Sequence, residues 1–158
     1  MSGLAGFAAP LADTALARWL HSGWVFPLVE STHIVSFALL VGAIAVVDVR
    51  LLGGLRHQAV APLLRSALPV AIAGCAGAVT SGALLFVANA GELVANRAFV
   101  AKLALLALAG LNAAAFHASV GREALAAAVP TPAMRLAGAA SLLLWAAVIV
   151  AGRLIAYV

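Results

Sequence analysis

The sequence predicts an all-α integral membrane protein, a four-helix bundle preceded by a short amphipathic helix lying in the membrane interface. Three observations predict it. Of the 158 residues, 66% are hydrophobic and only 9% charged, with a mean hydropathy of +1.17; a water-soluble domain cannot hide that much apolar surface behind so few charges. Four apolar runs reach the roughly 20 residues that a helix needs to cross a hydrocarbon core about 30 Å thick. These runs are continuous and rich in Ala, Leu and Val, whereas a membrane barrel needs alternating segments of about ten residues. Four spans leave no room for a second domain, so residues 1–158 read as a single transmembrane unit.

The N-terminal stretch MSGLAGFAAPLADTALARWLHSG lacks the basic start of a secretory signal and is expected to be retained. Within it Leu11, Ala15, Leu16, Trp19 and Leu20 share one helical face, while Asp13, Arg18 and His21 lie away from it. That division suits a short interfacial helix, with Trp19 and Trp24 at headgroup level. The first span is expected over 25–52, where Pro27 is tolerated near the helix start. The second, 63–89, carries Gly74, Ala78 and Gly82 at every fourth position. Such a smooth stripe lets membrane helices approach closely, either within the chain or in a homo-oligomer, and Pro69 is placed to kink the helix near its start. The third and fourth spans are expected over 99–120 and 133–157.

Net charge is +4, but the nine basic residues are scattered one or two per loop and form no nucleic-acid-binding patch. Arg50, Arg56, Arg65, Arg122 and Arg135 flank the first and third loops, against Arg18, Arg97, Lys102 and Arg153 on the other side. Lys102 and Arg153 lie inside spans, and without them the bias places both termini outside the cytoplasm by the positive-inside rule. The expected setting is a bacterial inner membrane. Cys75 is the only cysteine, which excludes an internal disulfide or a thiolate cluster.

Charges at membrane depth cost roughly 2.5 to 3.5 kcal/mol each on insertion scales, so they face the bundle interior and mark function. By depth along the helices, Glu30, His33, Lys102 and Arg153 fall in the outer half. Asp48, Arg50, Asn112, His117 and Arg122 fall towards the inner side, so two polar clusters are expected. One haem between His33 and His117 is excluded by depth: at 1.5 Å per residue the two lie about 20 Å apart, whereas metal–imidazole bonds are each about 2 Å long. His33 is the singular residue, deep in the span and one turn from Glu30, which is placed to orient its ring as carboxylates do for ligating histidines. Glu30 with Arg153 also reads as an ion pair that sets helix register, Lys102 and Arg50 as residues that snorkel, and His117 as a capping or interfacial histidine.

The segments WVFPLVESTHIVSFALLVGAIAVVDVRLLG, SGALLFVANA, NRAFVAKLALLALAGLNAAAFH and GRLIAY together resemble a family of small four-helix bacterial membrane proteins of unassigned function, over nearly the whole chain. More distantly, the placement of His33 and of AKLALLALAG is similar to the membrane part of copper-resistance D proteins and to the four-helix, haem-b type of protoporphyrinogen IX oxidase. The second resemblance implies haem at His33 and a role for Lys102. Where that oxidase pattern has a histidine about three turns after the lysine, this chain has Asn112.

Three functions follow as expectations. The first is a redox protein holding b-type haem in the outer half, with His33 as axial ligand, Glu30 orienting it, and Lys102 and Arg153 as second ligand or propionate partners, working with a membrane redox partner. The second is translocation of protons or a cation such as copper between the two polar clusters, bridged by Asn112 and Thr80 or Ser81; the sequence has no Met or Cys ladder for copper(I). The third is a partner subunit without cofactor. No nucleophile with its base, phosphate-cradling loop or zinc motif is present to suggest soluble-enzyme chemistry.

Overall fold

The computed structural model describes residues 10–11, 14–119 and 129–158. The elements are α1 (Ala15–Leu20), α2 (Val25–Leu51), α3 (Val60–Ala88), α4 (Ala90–Ala95), α5 (Arg97–Ser119) and α6 (Pro132–Leu154), with no strand among the described residues. Helices α2, α3, α5 and α6 are long and apolar enough to cross a membrane. Only 11% to 33% of the most hydropathic window of each is buried inside the protein, so most of the apolar surface faces outwards. Ile72 (60% exposed), Leu111 (65%) and Leu143 (72%) are among these residues, and lipid is the solvent that such a surface suits. The protein is a multi-pass membrane protein.

Each span begins or ends within a few residues of its expected limit, and local chemistry sets the boundaries. α2 stops in a Schellman motif: Gly53 N–H donates to Arg50 O (3.0 Å) and Gly54 N–H to Val49 O (2.9 Å). Gly53 has φ +99°, the left-handed conformation that glycine adopts without a Cβ penalty. α3 begins at Val60 rather than 63, because Pro62 falls in the first turn, where its missing N–H has no helical partner to lose. Thr131 caps α6, its Oγ1 accepting from Met134 N–H at 3.4 Å, with Pro132 at the first helical position. The fourth span ends at Leu154 rather than 157, in a turn closed by Tyr157 N–H to Leu154 O (2.9 Å). The expected end of the third span, Val120, lies outside the described residues.

The spans pack in the order α3–α2–α6–α5. α2 and α3 make the closest pair, because the small-residue stripe receives α2: a Cβ on Gly74 would lie 2.6 Å from Leu40 N and 2.8 Å from Ser36 O, and one on Gly82 would lie 3.0 Å from His33 Cε1. Gly74 and Ala78 are buried in this contact, so these two positions of the stripe pack within the chain. An apolar cluster of Val47, Leu51, Val60, Phe116 and Met134 closes the end that carries the 52–59 loop, hereafter the loop end. The opposite, terminal end gathers α1, α4 and the C-terminus.

At the terminal end α1 docks by Ala17 and Leu20, each 1% exposed, leaving Leu16 and Trp19 outward. The expected apolar face is therefore divided between protein and lipid; Asp13, which helped to define it, lies outside the described residues. His21 ties α1 to α3 through a hydrogen bond to Ala88 O at 3.0 Å. Asn96 binds the C-terminus, its Nδ2 donating to Ile155 O (3.0 Å) and Val158 O (2.7 Å), while its Oδ1 accepts from Phe99 N–H (3.0 Å). Asn96→Ala is expected to destabilise the protein by about 1 to 2 kcal/mol, the scale of a lost cap plus a side-chain hydrogen bond; denaturant titration in detergent micelles measures it, and an unchanged midpoint would show that the C-terminal tie carries no stability.

Candidate functional site

The terminal-end half holds a site to which all four spans contribute. His33 of α2 is half-buried, and its Nδ1 lies 3.1 Å from Ser81 Oγ of α3. Ser81 is 3% exposed, and its Oγ is 2.5 Å from Gly77 O. A carbonyl can only accept, so the single hydroxyl proton of Ser81 goes to Gly77 O, and Ser81 accepts from His33 Nδ1–H. The neutral imidazole is thereby fixed as the Nδ1–H tautomer, with the lone pair on Nε2. One turn on, Phe37 stacks against His33 with centroids 6.3 Å apart and meets the edge of Trp145 of α6 at 5.8 Å.

Lys102 of α5 is half-buried and places Nζ 5.7 Å from the Phe37 ring centroid. Gly152 of α6 makes room for it: a Cβ there would come 3.4 Å from Nζ. Phe37 therefore touches both His33 and Lys102. α3 and α5 are joined by the α4 turn and meet through the Phe86–Phe99 stack at 5.7 Å, but they are not close-packed along their lengths.

Of the four residues expected in the outer cluster, His33 and Lys102 are brought together. Glu30 and Arg153 are not. Glu30 is exposed and makes no ion pair or hydrogen bond among the described residues, so Ser81 holds the His33 ring in its place. Three residues of helix advance rotate the side chain by about 60° from His33, enough to turn it to the surface. Arg153 is exposed and turns along its own helix, with Nη2 donating to Tyr157 Oη (2.5 Å) and its guanidinium over the Tyr157 ring at 4.8 Å. The register-setting Glu30–Arg153 pair does not form.

The second expected group is dispersed. Asp48 is 5% exposed and faces Gly138 and Ser141 of α6, and among the described residues its Oδ2 is buried without a hydrogen-bond partner. Arg50, 4% exposed, turns to the loop, where its Nε donates to Gln58 O at 2.6 Å. Asn112 donates to Ala137 O of α6 (3.2 Å) rather than bridging to Thr80 or Ser81. His117 is exposed and bonds Ala113 O of its own helix (2.8 Å), and Arg122 lies outside the described residues.

Ser81, Phe37 and Trp145 are site residues that reading by depth passes over. A signal for Ser81 was present: it lies seven residues after Gly74 and three after Ala78, on the face of α3 that the stripe defines. Among the described residues no group of three or more His, Cys, Asp or Glu gathers as a metal site. No protein-family model, curated protein or solved structure matches the chain. The resemblances noted above therefore rest on the quoted residues alone.

Proposed function

We propose that this is a membrane redox protein whose terminal-end half would hold b-type haem, with His33 as the residue that would ligate it. The observation that carries the reading is the His33–Ser81–Gly77 relay, which leaves Nε2 as the ligating nitrogen and orients the ring. Ligating histidines characteristically donate their other N–H in this way. His33 would supply the nitrogen ligand to a haem, and Lys102, as an ammonium, would be a partner for a propionate. Bound there, haem would supply one-electron transfer at a potential set by its ligand and by burial. The terminal end would face outwards in a bacterial inner membrane, following the arginine bias. Protein purified in detergent after expression with haem available is expected to show a Soret band and dithionite-reducible α and β bands; a colourless protein overturns the reading.

One observation favours a second reading, translocation of protons. Among the described residues Asp48 Oδ2 is buried without a hydrogen-bond partner, and an ionisable side chain inside a span is a candidate proton carrier. Asp48→Asn is then expected to reduce proton flux into liposomes at least roughly tenfold, about 1.4 kcal/mol in the barrier. Equal flux in both proteins would end this reading.

A further inference from the structure

Gly138, Trp145 and Gly152 follow one another on α6 at intervals of seven residues, about two turns each, and so share one face. Each glycine seats an ionisable group from another helix. In the loop-end half a Cβ on Gly138 would lie 3.2 Å from Asp48 O of α2, and buried Ser141 faces the same residue. In the terminal-end half a Cβ on Gly152 would lie 3.4 Å from Lys102 Nζ of α5. Between them this side of α6 carries Trp145 and the fully buried Val148. Trp145 meets Phe37 of α2 edge to face, with centroids 5.8 Å apart and ring planes at 66°. Phe37 in turn stacks on His33 and lies 5.7 Å from Lys102 Nζ. Asp48 is eleven residues beyond Phe37 on α2, roughly 16 Å along the helix. The two rings therefore stand between His33 and Lys102 on one side and Asp48 on the other.

We propose that the Phe37–Trp145 contact is the gate of a proton path between His33 and Asp48, which rests on the translocation reading above. His33 Nδ1–H is held by Ser81, so the lone pair of Nε2 is the proton acceptor at the terminal end. A proton taken up there passes through water to the Asp48 carboxylate and is released at the loop end, and each group returns to its starting form. Water must join the two for this to happen, and a contact between two apolar rings excludes it; hydrophobic constrictions gate membrane pores by the same dewetting. His33 and Asp48 carry the proton, as ionisable residues inside spans do in pumps and transporters. Trp145 carries none. Removing a carrier therefore lowers the flux, whereas removing the gate raises it.

Proton flux into liposomes under an imposed pH gradient, read by an entrapped pH-sensitive dye, tests the gate. Trp145→Ala is expected to raise the flux at least roughly tenfold over wild type, and Phe37→Ala, which opens the contact from the other helix, to raise it likewise. Trp145→Leu, which keeps much of the bulk and so guards against a folding defect, should fall between. Leu143→Ala, at an outward position of the same helix (72% exposed), should leave the flux unchanged. Asp48→Asn combined with Trp145→Ala should return the flux to the level of Asp48→Asn alone. A flux in the Trp145 and Phe37 variants no greater than wild type, with Asp48→Asn still lowering it, overturns the gate and leaves the translocation reading standing. A raised flux that persists in the double variant marks a general leak and overturns the gate. Equal flux in wild type and Asp48→Asn ends the translocation reading and the gate with it.

Discussion

Replacing Gly74 by valine is expected to force α2 and α3 apart and to cost about 3 kcal/mol or more, the upper range for overpacking a tight interior. The atoms that a Cβ would meet, Leu40 N at 2.6 Å and Ser36 O at 2.8 Å, belong to backbone, which cannot swing aside as a side chain can. Even alanine must separate the helices. Gly42 of α2 is the internal control, since a Cβ there meets nothing within 4 Å; Gly42→Ala should be neutral or slightly stabilising, because glycine is the poorer helix former. Unfolding in mixed micelles measures both, and equal midpoints for Gly74→Ala and Gly42→Ala would contradict the α2–α3 contact.

His33→Ala is the second large effect, with complete loss of the haem spectrum. More discriminating is the pair of neighbours that compete to orient the ring. Ser81→Ala removes the acceptor of Nδ1–H, and losses of this kind lower metal affinity roughly 10- to 100-fold. Glu30→Gln touches no residue of the site and should leave the spectrum as it was. A spectrum sensitive to Glu30 and indifferent to Ser81 would restore the orientation expected from sequence spacing and contradict the relay.

The contrast between Glu30 and Ser81 shows what a membrane sequence conveys. Length and hydropathy place the four spans closely, and counting residues gives each polar group its depth, so His33 and Lys102 are legible as neighbours. Rotation about each helix is not legible in the same way. In water the polar face of a helix reports which side is outside, but these spans are apolar all round, and lipid and protein interior attract the same residues. Glu30 and Arg153 have the expected depth and the wrong azimuth. The docking of α1 through Ala17 and Leu20 is likewise not legible, while Leu16 and Trp19 stay outward, as suits a helix at the interface. The small-residue stripe is the exception, since steric smoothness marks a contact face when polarity does not, and it points at Ser81.

The central claim, haem on His33, is tested most directly by counting haem per polypeptide in wild type and His33→Ala purified side by side, using the pyridine haemochrome. One haem per chain in wild type and none in His33→Ala is the expected result; a wild-type protein without haem, or equal haem in both, would contradict the account.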